Sequence, residues 1–167
     1  MGREEDHLEL DSNPSNASRV SGNLWVGSAP PIGTRVAGLF DCLALCAAEY
    51  QVGPECFHGA EVFRVPLNDD GTPMSEAEMK DAVMAAGRVI GWLSRGKKVL
   101  VTCHAGLNRS GLVAALALCC RPGGLSPEEA VTAVRAARGP RAMRNPHFLE
   151  FLQKFCAKTV SRTTPSP

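Results

Sequence analysis

Residues 97–120 read KKVLVTCHAGLNRSGLVAALALCC, and they restrict the fold more than any other stretch. Two lysines lead into Val99, Leu100, Val101 and Thr102 without polar alternation, the pattern of a strand buried on both faces in the middle of a parallel sheet. A short loop containing Gly106 follows, and around Ser110 or Gly111 an apolar, alanine-rich run begins that reads as a helix. A strand covered on both faces needs a layer above it and a layer below. The expected fold is therefore an α/β three-layer sandwich, its central, mostly parallel sheet of four or five strands flanked by helices.

The rest of the chain fits that frame. NLWVGS (23–28) reads as a first strand stopped by Pro30 and Pro31, and AEVFRVPL (60–67) as another with Pro66 near its end. VAGLFDCLALC (36–46) is too brief an apolar run to fix its period, so strand and helix both stay open. Ser75 with Glu78 forms a capping-box pattern ahead of Met79, Val83, Ala86, Ile90 and Leu93, which recur at helical spacing. Ser126, Pro127 and Glu129 open a second such helix. Asn145 and Pro146 open a last one that buries a face drawn from Phe148, Leu149, Leu152 and Phe155. At 167 residues the chain is one domain. Residues 1–19, with five acids among them, read as a flexible arm, 20–160 as the folded domain and 161–167 as a flexible tail.

Bulk charge excludes some functions. A net charge of +1 gives no basic field for nucleic acid, so no specific nucleic-acid binding is expected and any anion site must be local. Leu112 to Cys120, the most apolar interval, is about half of what a membrane span needs. Residues 1–18 lack the apolar core of a secretory signal. Seven cysteines without a staple-like rhythm point to reduced thiols and a cytoplasmic location. Cys42 and Cys46 have a four-residue spacing and His104 neighbours Cys103, but further ligands are scattered, so no metal or other cofactor is expected. Cys42, Cys46, Cys119 and Cys120 read as core packing, with Cys42 or Cys46 a possible disulfide partner for Cys103.

The loop itself carries the chemistry. Gly106 and Gly111 permit a tight turn whose backbone N–H groups converge, and the start of the following helix adds its positive end to the same concavity. Cys103 at the floor of such a nest, beside Arg109, meets several influences that favour a thiolate over a free thiol's value of about 8.5. Arg109 offers a planar fork matched to two phosphoryl oxygens. The pair suits in-line attack on phosphorus, with the equatorial oxygens met by fixed donors. Ser110 can hydrogen-bond to the sulfur and steady it as a leaving group. A leaving oxygen also needs a proton, and Asp69 and Asp70 follow the strand ending near Leu67, at the sheet edge where the Cys103 loop lies. Spacing alone leaves both acids open.

CHAGLNRS (103–110) resembles the Cys, five residues, Arg, Ser or Thr pattern of the cysteine-dependent protein tyrosine phosphatase superfamily, in particular its compact dual-specificity branch. VPLND resembles the family's general-acid loop, a register that implies Asp69, with Asp70 as understudy. RGPRAMRNPHFLEFL (138–152) is similar to the family segment that closes the site, and it implicates Asn145, Arg141 and Arg144 at the border. The resemblance covers about residues 22–155. It implies a dual-specificity phosphatase-like fold and a phosphomonoester hydrolase working through a phosphocysteine. The implied catalytic residues are Cys103, Arg109, Asp69 and Ser110. Substrate would be bound by His104, Ala105, Gly106, Leu107, Asn108 and Arg109.

The expected partner is a phosphorylated protein or small phosphate ester, dephosphorylated at Tyr or at Tyr and Ser/Thr, by a monomer. The same chemistry on a lipid, a nucleotide or an RNA 5′-phosphate is the alternative, and a phosphate-binding module without turnover is the reading from another class. Neutral Leu107 and Asn108 argue against a highly charged inositol phosphate, while Arg138, Arg141 and Arg144 leave a basic rim. The chain departs from the family at Thr102, where a His usually helps acidify the thiol. A less acidic thiol and a slower enzyme are expected.

Overall fold

The computed structural model describes residues 15–30, 39–53, 57 and 59–163. In chain order the strands are β1 (Ser18–Ser21), β2 (Leu24–Ser28), β3 (Cys42–Ala47), β4 (Glu61–Leu67) and β5 (Val99–Cys103). The helices among the described residues are α1 (Glu76–Ser94), α2 (Arg109–Cys120), α3 (Pro127–Arg138) and α4 (Pro146–Thr163). The sheet order is β1-β2-β5-β3-β4. β2, β5, β3 and β4 run parallel and β1 pairs antiparallel with β2. This is the mixed-sheet α/β sandwich that residues 97–120 predict.

β5 lies at the centre because all five of its residues are buried. Its pleat divides the core. Val99, Val101 and Cys103 join Cys42, Ala44 and Cys46 against the helices, while Leu100 packs with Leu43 and Leu45 beside Phe40, Phe57 and Ala60 on the other face. Thr102 spends its hydroxyl on the β3 backbone, donating to Ala44 O at 3.3 Å. The ambiguous 36–46 stretch resolves as strand from Cys42 onward, since six buried residues between two parallel neighbours leave no exposed helical face; residues 31–38 lie outside the described residues.

The helix starts follow their capping residues. Ser126 and Glu129 complete a reciprocal box, with Pro127 in the first turn. Ser75 accepts the Glu78 N–H at 3.1 Å, but the Glu78 carboxylate takes Asn68 Nδ2 at 2.9 Å instead of closing the box. That bond ties α1 to the segment after β4. In α2, residues 109–118 are all buried, and a Cβ on Gly111 would lie 2.9 Å from Met143 Sδ. Glycine there lets the 139–145 segment lie directly on the helix.

Two boundaries need correction. The stretch read as a flexible arm to residue 19 contains the start of β1, and Ser15 and Ala17 are buried. Ser15 O accepts both the Ser28 N–H and the Ser28 hydroxyl, and Arg19 stacks over Trp25. Polar composition hid a hairpin strand whose partners are mostly backbone. At the other end α4 continues to Thr163, into the stretch read as tail. Residues 1–14 and 164–167 lie outside the described residues.

Candidate active site

Cys103 ends β5 and Arg109 begins α2, so the loop between them sits where a buried strand feeds a helix. Three successive carbonyls of this loop are occupied by groups behind it. Ala105 O and Gly106 O accept from the Arg138 guanidinium at 3.2 and 2.9 Å, and Leu107 O accepts the Met143 N–H at 3.2 Å. In a trans peptide the N–H points away from its C=O. The amides of Gly106, Leu107 and Asn108 are thereby directed to the inner side, which makes a concave set of donors next to the α2 N-terminus. Gly106 has φ +67°, and a Cβ there would lie 2.5 Å from the Gly27 carbonyl carbon. Only glycine fits this turn.

Cys103 lies at the floor, 3% exposed, with Ser110 Oγ 3.1 Å from its sulfur. Arg109 is buried, its two terminal nitrogens forked onto the Glu49 carboxylate at 2.5 and 2.6 Å and one of them also donating to Leu67 O at 3.1 Å. Burial works against the Arg109 charge, but the Glu49 fork and then the neighbouring Cys103 and Asp69 outweigh it and raise its pKa. Its Nε is buried without a partner among the described residues. A guanidinium already oriented by a carboxylate keeps one donor free for an anion.

Of the two candidate acids, the fold brings Asp69 to the Cys103 loop and leaves Asp70 outside. Asp69 accepts from Asn108 Nδ2 at 3.0 Å and from Asn145 Nδ2 at 2.8 Å. Asp70 turns onto its own loop, where the hydroxyl and N–H of Thr72 lower its pKa. Asn145 both caps α4, accepting the His147 N–H at 2.9 Å, and holds Asp69. Asn108 is a second junction: its Oδ1 accepts the N–H of Arg144 at 2.8 Å and of Asn145 at 3.3 Å. His104 and Ala105 are exposed, Leu107 is half-buried and Arg141 is exposed. The Arg144 side chain bends back to Pro140 O.

The basic rim is smaller than the sequence implies. Arg138 is not on it, because its guanidinium is committed to the outer side of the loop. The strand register also separates two cysteines. Leu45 pairs with Thr102, which puts Cys46 at the level of Cys103, whereas Cys42 pairs with Val99 at the far end of β5. Burial raises the pKa of the Cys46 thiol and the nearby Cys103 adds to it; burial with Glu61 and Asp41 nearby lifts Cys42 to about 11. Cys120 is exposed, so it does not belong with the core thiols. It borders, with Cys119 and Cys156, a cavity of about 700 Å³ at the end of α2 opposite Arg109. Among the described residues no group of three or more His, Cys, Asp or Glu is placed to hold a metal ion. No described helix is long and apolar enough to cross a membrane.

Glu49 carries no local signature in the sequence, being a single acid after a strand; the adjacency of β3 and β5 is what brings it to Arg109. Hydrogen bonds from Arg109 hold its carboxyl down at about 2, against an ordinary 4.5 and against some opposing burial. The pair's contribution to stability is thus complete above about pH 4.5 and lost as the pH falls toward 2. Glu49→Gln is expected to lower neutral-pH stability by about 1 kcal/mol, a small figure because Glu49 is half-exposed and screened. It should also flatten the acid limb of stability between those two pH values. Thermal melts at stepped pH check both.

Comparison with known proteins gives a consistent picture. The sequence profile of the family described as dual specificity phosphatase, catalytic domain, matches residues 42–158. Human cyclin-dependent kinase inhibitor 3 is 33% identical over 107 residues, 60% of this chain and 48% of that protein. The chain spans about half the length of the curated relatives it matches. Among solved structures, human DUSP28 superposes with a TM-score of 0.74 at 27% identity, covering 88% of this chain and 97% of that one. Tk-PTP in the active form gives 0.69 at 25% identity, covering 86% and 97%.

Proposed function

Because this chain belongs to the dual specificity phosphatase family, we propose that it hydrolyses phosphate monoesters of proteins through a phosphocysteine on Cys103. The observation that carries this reading is the junction at Asn108. One side chain of the Cys103 loop holds Asp69 from the β4–α1 segment and the backbone that opens α4. That junction ties the Cys103 loop, with Arg109 at its end, to Asp69, which supports the preorganisation that phosphoryl transfer requires.

In the proposed reaction the phosphate rests on the inward amides and on Arg109 Nε. The Cys103 sulfur attacks phosphorus in line while the P–O bond to the alcohol or phenol breaks. Asp69, protonated, gives its proton to that oxygen. Each Asp69 oxygen accepts one amide donor, which holds the carboxyl in place and leaves a second lone-pair position for the proton. In the second step the Asp69 carboxylate takes a proton from water, the water oxygen bonds to phosphorus, and the P–S bond breaks to return the thiolate and inorganic phosphate. Ser110, 3.1 Å from the sulfur, donates to the departing thiolate. We place the reaction in a reducing compartment, where Cys103 stays free.

Neutral Leu107 and Asn108 beside the site favour a phosphotyrosine or phosphoserine/threonine side chain over a multiply charged lipid headgroup, nucleotide or RNA end. Phosphate release from matched phosphotyrosine, phosphothreonine, phosphoinositide and 5′-phosphorylated RNA substrates tests this. Turnover confined to the last two would overturn the protein-substrate reading, and turnover of none would overturn the enzyme. Ser110→Ala is expected to slow breakdown of the intermediate more than its formation. A pre-steady-state burst of phenol followed by a steady rate lowered on the order of tenfold would be its signature.

A further inference from the structure

Arg138, the last residue of α3, touches the Cys103 loop from behind and contributes nothing to the rim where its charge would meet a substrate directly. Its Nε donates to Gly106 O at 2.9 Å, Nη2 to Ala105 O at 3.2 Å and Nη1 to Ser18 Oγ at 3.2 Å and to Asn16 O. Every one of these acceptors is neutral. None of the ion pairs among the described residues involves Arg138. The contrast with Arg109 is direct, because Glu49 already compensates much of the Arg109 charge.

We infer that Arg138 is a positioning residue that sets the Cys103 loop in its anion-binding shape and supplies the uncompensated positive charge behind the nucleophile. Two physical consequences follow from its placement. First, a planar fork that spans two successive carbonyls fixes their peptide planes, and so fixes the direction of the amides on the inner side. Second, a guanidinium keeps its charge when half-buried. Burial lowers the Arg138 pKa and the adjacent Cys103 opposes that shift.

The other groups facing Cys103 do not substitute for it. Thr102 gives its hydroxyl to Ala44 O, and Ser110 is neutral. Cys46 on β3 has its pKa raised by burial and stays a thiol. Arg109 on α2 is shared with Glu49 after β3 and senses Asp69 from the β4–α1 segment. His104 on the loop is exposed. The same guanidinium ties the loop to Asn16 and Ser18, where β1 opens.

The inference rests on Cys103 being the nucleophile, and its test uses readouts that need no substrate. Alkylation of Cys103 by iodoacetamide is followed by peptide mass mapping, which separates it from the other six thiols, and binding of tungstate by calorimetry. Arg138→Met is expected to slow Cys103 alkylation by roughly tenfold and to weaken tungstate binding by at least as much. Arg138→Lys is expected to restore alkylation to within about threefold, because the charge returns, but to leave tungstate binding impaired because an ammonium cannot span two carbonyls. Folded Arg138→Met with wild-type alkylation and tungstate binding overturns the inference. Equal loss of alkylation in the Met and Lys variants overturns the electrostatic part. If the Met variant does not fold, Arg138→Gln, which keeps one donor, is read in the same way. A wild-type protein that turns over no phosphate ester defeats the proposed function and leaves these measurements to decide on Arg138.

Discussion

Cys103→Ser is expected to lower turnover of an aryl phosphate by roughly 10⁴-fold or more while leaving the fold and tungstate binding nearly intact. The hydroxyl occupies the same buried floor beside Ser110. It is not ionised near neutrality, and the alkoxide it would have to become is a poor leaving group in the second step. The donors proposed to hold the anion are the loop amides and Arg109 Nε, which the substitution does not touch. Steady-state release of the phenol and calorimetric titration with tungstate check the two halves. Retained turnover would mean that the sulfur is a buried structural thiol, and lost anion binding would mean that the nest depends on the thiolate itself.

Asp69→Asn is expected to reduce hydrolysis of phenyl phosphate, whose leaving oxygen needs a proton, by roughly 10² to 10⁴-fold. On p-nitrophenyl phosphate the formation of the intermediate should be much less affected, because that leaving group departs unprotonated. Asp70→Asn should leave both substrates within about twofold of wild type, since Asp70 is exposed and bonded to Thr72. The leaving-group dependence separates an acid from a residue that only holds the loop: loss of a structural tie between Asn108 and Asn145 would depress both substrates equally.

The sequence made the central strand, the four described helices and the Cys103 loop legible because each is written in local terms. Val99 to Thr102 carries no polar alternation, Ser75 and Ser126 announce helix starts, and the Cys–Arg–Ser spacing needs no tertiary information. What it hid depends on contacts between distant segments. β1 is polar because its partners are mostly backbone and Trp25, so its residues imitate a loose arm. Glu49 has no local pattern, and its importance comes from the end of β3 lying beside the start of α2. Asp69 and Asp70 are neighbours that spacing alone leaves open; the VPLND register implies Asp69, and the amides of Asn108 and Asn145 hold Asp69 while Asp70 bonds to Thr72. Arg138 reads as one of three rim cations, yet its reach to the Ala105 and Gly106 carbonyls places it behind the loop.

The phosphocysteine itself can be caught. In Asp69→Asn, p-nitrophenyl phosphate should still load the nucleophile, whereas water activation in the second step is lost, so the intermediate should accumulate. Rapid quenching followed by mass mapping is expected to find the mass of one phosphoryl group added to the peptide that contains Cys103 and to no other. Turnover without an adduct, or an adduct on a different residue, would contradict the account.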